Sequence, residues 1–301
     1  MKDSKSGNFS FFFFSYFKVF NYCYTIHNNF KLETISILST KFEYIIYEFK
    51  EGISRITINR PDKLNALQYP LLMEMVEVFK SIMKNKLIRA ITIEGAGENF
   101  STGDDMKSMG PEGVKFTPLE DGSRMPHHKV VRLIREIQKP VIALLKGYCI
   151  GAGFDIALAC DFRLAADNLK IGDHRAKRAH CILSGASWFL PRIVGFGRAT
   201  DIILTSRHLD AIEALDIGLV TKVYPINDFN EKSDEFIRQI AEMPTKCLGY
   251  NKAMLNFSQI HELFPSLQNE FRLYCKNIRT YDFGVGMKSF IKKREPKFKG
   301  R

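Results

Sequence analysis

What this 301-residue chain lacks rules out several classes of protein. Its six cysteines, Cys23, Cys149, Cys160, Cys181, Cys247 and Cys275, are scattered and never spaced Cys-x-x-Cys. That pattern offers neither a disulfide framework nor a zinc site, so no metal is expected. Reduced thiols in apolar runs fit a cytoplasmic setting. No apolar run reaches the roughly 20 residues of a membrane span. The glycines at 147, 151 and 153 have the wrong spacing for a dinucleotide-binding G-x-G-x-x-G, and they lie mid-chain. No DNA- or RNA-binding motif occurs, so nucleic acid is not an expected partner. No internal sequence repeat is visible.

What is present is ordinary globular composition, 45% hydrophobic and 26% charged. The length allows one large or two modest domains with a sizeable core. The net charge of +11 is spread along the chain, apart from Lys292-Lys293-Arg294 near the end. A polyphosphorylated small ligand accounts for such a balance as well as nucleic acid does.

Residues 1–41 are unlike the rest of the chain. Phe11 to Phe14, Tyr16, Phe17, Val19 and Phe20 make a strongly aromatic stretch, interrupted by Lys18. Asp3 precedes it and no small-x-small cleavage site comes after it, which argues against a secretory leader. A disordered extension, or a translation start set too far upstream, is the better account. No methionine lies between Met1 and Met73.

From Phe42 the pattern becomes regular. Phe42–Phe49 and Ile53–Ile58 around Glu51-Gly52 predict a hairpin. A polar turn, Asn59 to Leu67, precedes Leu71, Leu72, Met75, Val76, Phe79 and Ile82 at helical spacing. Ile88–Ile93 predicts a strand, 95–105 a Gly-rich loop, 111–126 a mobile loop and Val130–Ile137 a helix. After the strand at Val141–Leu145 further strands are expected at Phe162–Ala166, Leu169–Ile171 and Leu219–Val223. Helices are expected at Ala186–Val194, Arg198–Leu204 and Ala211–Leu215. From Asp228 onward helices take over, at Phe229–Ala241, Thr245–Phe257, Glu262–Thr280 and Val285–Lys293. Alternating strands and helices followed by helices alone predict an α/β core with a helical C-terminal piece.

The most informative stretch is Gly147-Tyr148-Cys149-Ile150-Gly151-Ala152-Gly153-Phe154-Asp155, between a strand-like and a helix-like run. Small residues let backbone approach a ligand closely. At a helix start, unpaired N–H groups and the positive dipole end suit an oxygen that becomes negative during a reaction. Asp155 lies three residues after Ala152, on the same helical face. Tight strand-to-helix packing would account for the glycines equally well.

Seven stretches together resemble the enoyl-CoA hydratase/isomerase (crotonase) family. They are Ile58-Asn59-Arg60-Pro61 with Leu64-Asn65-Ala66-Leu67; Phe100-Ser101-Thr102-Gly103-Asp104-Asp105; Lys139-Pro140-Val141-Ile142-Ala143 with Gly147-Tyr148 and Gly151-Ala152-Gly153; Ala159-Cys160-Asp161-Phe162-Arg163-Leu164-Ala165; Leu190-Pro191-Arg192-Ile193-Val194-Gly195; Ala214-Leu215-Asp216-Ile217-Gly218-Leu219-Val220; and Phe290 to Phe298. They occur in the family's order from about residue 43 to the end.

The resemblance implies a spiral of ββα repeats over 42–240 and a helical trimerisation region over 241–301. The partners it implies are an acyl-CoA thioester and further copies of the chain, as a homotrimer or a dimer of trimers. No cofactor is implied beyond the coenzyme A of the substrate. The family's shared chemistry is an enolate at the thioester carbonyl, held by two backbone N–H groups. By position these belong to Asp104 and Ala152, where the family usually has smaller residues. The Asp104 carboxylate must then point away from the oxyanion. Residues around the substrate would be Lys63, Ala66, Thr102, Gly103, Asp105 and Gly151, with Phe290 and Lys293 contributed by a neighbouring subunit.

One departure is decisive for mechanism. A typical family hydratase flanks a water with two glutamates. The first position is Asp155; the second falls on Arg175, and no glutamate occurs between Asp155 and Ile212. Candidates for proton transfer are therefore Asp155, Asp173, His174 and His180. Arg175 could pair with Asp155, hold a second carboxylate of the acyl group through its fork, or face solvent. The nucleophile position of the family's dehalogenases falls near Leu183, which argues against that chemistry. Hydration of an enoyl-CoA is the leading expectation. Isomerisation, hydrolysis, decarboxylation and a catalytically silent CoA-binding subunit are the alternatives.

Overall fold

The computed structural model describes residues 42–107 and 125–301. The expectations for the aromatic extension and for most of the 111–126 loop lie outside the described residues. The chain divides at residue 36 into two units, and the described fold is that of the second, 37–301.

Strand β1 (Ile45–Lys50) turns back on β2 (Ile53–Ile58) through Glu51 and Gly52, both left-handed at φ 52° and 80°. Two left-handed residues in a two-residue loop give the turn whose twist matches the strands. Strands β3 (Ala90–Gly95), β4 (Val141–Leu145), β6 (Phe162–Ala166) and β9 (Lys222–Tyr224) then add in parallel, giving the order β1-β2-β3-β4-β6-β9. All five residues of β4 are buried, as expected for a strand covered on both faces.

The period-two rule divides β4 between two cores. Val141, Ala143 and Leu145 join the main core with α1 (Tyr69–Lys84), α2 (Pro126–Glu136) and α3 (Ala152–Ala159). Ile142 and Leu144 face a smaller core on the opposite side, closed by Phe229, Ile237 and Ala241 of α7 (Phe229–Glu242). Helix α1 meets the main core with Leu71, Leu72, Met75, Val76, Val78, Phe79 and Ile82, the stripe its spacing predicted.

A second, smaller ladder positions the chemistry. Strand β5 (Tyr148–Ile150) pairs in parallel with β7 (Lys170–Gly172), which pairs antiparallel with β8 (His208–Asp210). Single parallel bridges extend it, Ser101 to Cys149 and Leu67 to Asp104. Each long strand from β2 to β6 is thus followed by a short extended stretch in this row.

The remaining helices are α4 (Ala186–Val194), α5 (Phe196–Thr205), α6 (Ala211–Asp216), α8 (Thr245–Ser258), α9 (Leu263–Asn277) and α10 (Tyr281–Ile291). Several elements differ from expectation: α2 starts at Pro126 rather than Val130, and β5 was not expected as a strand. Strand β9 starts at Lys222 because the N–H groups of Leu219 and Val220 donate to the Ala214 carbonyl and close α6 instead. Helix α10 starts four residues early, since Thr280 caps it by accepting from Phe283 N at 3.2 Å. Strand β8 was not predicted: His208-Leu209-Asp210 carries one apolar residue, and pairing with β7 makes it a strand.

Candidate active site

The site is built on the row of short extended stretches. Its first part is the loop Ser101–Asp105. Asn65, wholly buried and left-handed at φ 56°, staples the preceding turn to it. The Asn65 amide nitrogen donates to the carbonyls of Ala96 (2.8 Å) and Asn99 (2.7 Å). Ser101 Oγ donates to the Asn65 carbonyl at 2.8 Å and accepts from Gly103 N at 3.2 Å. Arg60 closes the loop from outside, donating to the Ala66 carbonyl (2.6 Å) and to Asp105 (2.9 Å).

This scaffold aims one N–H. Leu67 N donates to the Gly103 carbonyl and Asp105 N to the Leu67 carbonyl, both at 2.7 Å. In an extended segment successive N–H groups alternate in direction, so that of Asp104 points away from Leu67. Gly103 has φ +85°, and a Cβ there would lie 3.0 Å from the Ile150 carbonyl and 3.2 Å from Ala152 N. Only a glycine lets the two segments approach so closely.

The second N–H lies across that contact. Ala152 opens α3, with Gly151 before it at φ 58°, ψ −126°. The first N–H groups of a helix have no partner within it. Gly103, Asp104 and Gly151 line one cavity of about 450 Å³, together with Leu64, Thr102, Met106, Tyr148, Ile150, His174, Arg175, Arg178, His180 and His208. A larger cavity, about 700 Å³, lies between α2, α4 and α8 and contains none of these donors; the smaller one is where the chemistry can occur. The Asp104 carboxylate turns to α2, with Oδ1 2.7 Å from His127 Nε2.

Arg175 is buried between two carboxylates. It donates to Asp155 through both terminal nitrogens, at 2.8 and 2.9 Å. Its Nε donates to Asp173 at 2.8 Å, a second bond runs from Nη2 to the same oxygen, and Asp173 also accepts Arg175 N at 2.8 Å. Exposure is 7% for Arg175, 0% for Asp155 and 1% for Asp173. Of the three uses considered for Arg175, pairing with Asp155 is the one observed. The reading as an anchor for a substrate carboxylate is corrected, because Asp155 and Asp173 already fill the fork. One guanidinium serves two carboxylates, leaving a surplus of negative charge. Burial pushes the Asp155 carboxyl above its ordinary value, although Arg175 pulls it back. For Arg175 burial acts downward, but the bonds to Asp173 and Asp155 raise it and keep it charged.

Asp155 and Asp173 do not line the cavity; His174 and His180 do. His174 stacks on His208, with ring centroids 3.6 Å apart and an interplanar angle of 12°. Burial, with the charges of His174, Lys177 and Lys170, pushes His208 down to about 4. His174 is also lowered, by burial and then by Lys177 and Arg178. His127, Tyr148 and His208 were not singled out in the sequence. Tyr148 lay within a quoted motif but was given no role, and no local motif marks His127 or His208; α2 and strands β5 and β8 bring the three in. Lys63 is exposed, and Phe290 and Lys293 are exposed at the end of α10, apart from the cavity. Among the described residues no group of three or more His, Cys, Asp or Glu could hold a metal ion.

The family model described as enoyl-CoA hydratase/isomerase matches residues 48–301. The chain belongs to the enoyl-CoA hydratase/isomerase family. It is 32% identical over 261 residues to the probable enoyl-CoA hydratase echA8 of Mycobacterium leprae, covering 87% of this chain and 100% of that relative. The solved enoyl-CoA hydratase of Bacillus anthracis is 30% identical with a TM-score of 0.79, covering 86% of this chain and 100% of that one. The corresponding enzyme of Polaromonas sp. JS666 is 26% identical with a TM-score of 0.78, covering 84% and 99%.

Proposed function

We propose that this family member acts on an acyl-CoA thioester, and that the reaction is hydration of an enoyl-CoA through an enolate. The observation that carries this reading is the approach of Gly103 to Gly151-Ala152: Asp104 and Gly151 border one cavity, and Ala152, 1% exposed, lies directly behind Gly151. A thioester carbonyl seated there would gain negative charge on oxygen as water adds to the β-carbon. Donors fixed in advance stabilise that charge without reorganising. Thr102, Gly103 and Gly151 would border the thioester. Lys63 and a neighbouring subunit's Phe290 and Lys293 would meet the nucleotide.

Of the proton-transfer candidates, His174 has a face on the cavity and is held by its stack on His208. A histidine lowered from its usual value is neutral near pH 7 and can accept a proton. Asp155 reaches the substrate in this reading only if Arg175 releases it. The ββα spiral and the trimer belong to the same proposal. They are supported by the alternation of long-sheet and short-row strands and by the exposed apolar residues on α9 and α10. A cytoplasmic setting also belongs to it, supported by the free thiols among the described residues.

The locked Asp155 favours a second reading, a CoA-binding subunit without catalysis. Incubating the protein with a panel of acyl-CoA thioesters in heavy water separates the two. Hydration of crotonyl-CoA, or deuterium entering the α-carbon, is the expected result by mass spectrometry. Binding without either across the panel would establish the silent subunit.

A further inference from the structure

We propose that His127 is a positioning residue that holds the Asp104 carboxylate off the oxyanion site, so that a residue with an acidic side chain can serve as a backbone donor. The proposal rests on the reading of the Asp104 and Ala152 N–H groups as an oxyanion hole.

The problem it answers is electrostatic. The donor at residue 104 carries its own carboxylate, only a few bonds from the N–H. Left free in the cavity, that charge would oppose the negative oxygen the hole is meant to stabilise. In a low-dielectric site such repulsion is large compared with its value in water. The structure handles the carboxylate specifically. Asp104 Oδ1 is 2.7 Å from Nε2 of His127, a residue of α2, and the two side chains are only 6% and 3% exposed. Tyr69, from the start of α1, packs edge-on against the His127 ring, with centroids 5.7 Å apart and planes at 76°. Two helices therefore fix the imidazole, and the imidazole fixes the carboxylate. The remaining ring nitrogen, Nδ1, is buried without a partner among the described residues. That leaves the bond to Asp104 as the imidazole's one polar contact there, and a ring buried for packing alone would not require it.

The backbone and the side chain of Asp104 are thus divided between two tasks. Bonds on both sides, Leu67 N to Gly103 O and Asp105 N to Leu67 O, hold the main chain. His127 holds the side chain. An imidazole suits this task better than an aliphatic neighbour, because a buried carboxylate without a donor would turn toward the cavity for one.

The test is a double-mutant cycle between residues 104 and 127, read in two ways. The first is kcat and KM for crotonyl-CoA hydration. The second is the absorbance shift of bound 2,4-hexadienoyl-CoA, whose conjugated thioester reports polarisation by the hole without turnover. His127→Ala should lower kcat by about 10- to 100-fold, less than the roughly 10²–10³-fold seen when one donor of an oxyanion hole is lost outright, because the N–H itself remains. KM should change little, and the dienoyl shift should shrink. In the Asp104→Ala background the same His127 change should have no further effect on either readout. Equal losses in both backgrounds would overturn the proposal, since His127 would then act independently of the carboxylate. No loss in either would overturn it too. If His127→Ala melts early, His127→Gln, which keeps a donor, must restore both readouts in the Asp104 background or the proposal fails. The wild-type protein is read first. An unshifted dienoyl spectrum there removes the oxyanion hole itself, whereas a wild-type shift unmoved by the variants removes only the role of His127.

Discussion

At the scale of single residues, the unusual feature is Arg175 with Asp155 and Asp173. Three charges sit almost without exposure, and each finds its partners within the triad. Breaking a buried pair costs more than the pair contributes, because an unpaired charge remains. Arg175→Met should lower stability by about 3–5 kcal/mol in urea denaturation, and adding Asp155→Asn should return part of the loss. A loss below about 1 kcal/mol would mean that water reaches the triad in solution. Arg175→Glu, which restores the residue usual in the family, sets three carboxylates in one buried pocket. That change should unfold the protein near neutral pH rather than raise its turnover. His208 makes a separate forecast. Its folded value of about 4 lies below the ordinary 6.5, so the unfolded chain binds the proton more readily between those values. Stability from His208 is therefore complete above pH 6.5 and is lost as pH falls toward 4. His208→Phe should flatten the stability-against-pH curve in that window. An unchanged slope would place the acid sensitivity elsewhere.

Among elements, helix α8 depends on one buried lysine. Lys252 Nζ donates to the carbonyls of Ile134 (2.8 Å) and Lys139 (3.2 Å) and to Asp161 Oδ2 (2.7 Å). Asp161 in turn accepts Val141 N at 2.8 Å, at the first residue of β4. One ammonium thus ties α8 to the end of α2 and, through Asp161, to the start of the central strand β4. Gly249 permits the contact, because a Cβ there would lie 2.3 Å from the Gln138 carbonyl. Lys252→Met keeps the length but leaves Asp161 only Val141 N and the longer Arg135 pair at 3.8 Å, and should cost about 3 kcal/mol by thermal or chemical denaturation. A cost within about 0.5 kcal/mol, the range of an ordinary surface change, would show the clamp to be dispensable.

For the whole molecule, the apolar surface of the C-terminal helices sets the expectation. Leu263, Phe264 and Phe271 of α9 are 70–75% exposed, and Phe290 and Ile291 of α10 are 82% and 74% exposed. An apolar area of this kind is costly in water and marks a surface for association. If further copies of this chain cover it, Phe271→Glu should move the sedimenting species from trimer or hexamer toward monomer while the far-ultraviolet spectrum stays. A wild-type monomer at micromolar concentration would sink the assembly reading, since interfaces of ordinary size hold well below that concentration.

The sequence by itself determined the elements whose signal is local. The Leu71–Ile82 stripe made α1, the Glu51-Gly52 turn made the hairpin, and an apolar run made β4, because helical and strand periods are written in consecutive residues. The two proposed backbone donors, Asp104 and Ala152, were named from short glycine-bearing segments between elements for the same reason. What only the tertiary structure decided were partnerships across long separations. The partner of Asp104 lies 23 residues on, in another helix, and Arg175 meets an Asp155 20 residues back. His208 reaches the cavity only through the pairing of β8 with β7. Charge and size can be read in sequence, but which buried charge meets which donor depends on burial and on packing at distances of about 3 Å. Arg175 therefore had three readings as a letter and only one once two carboxylates had filled its fork.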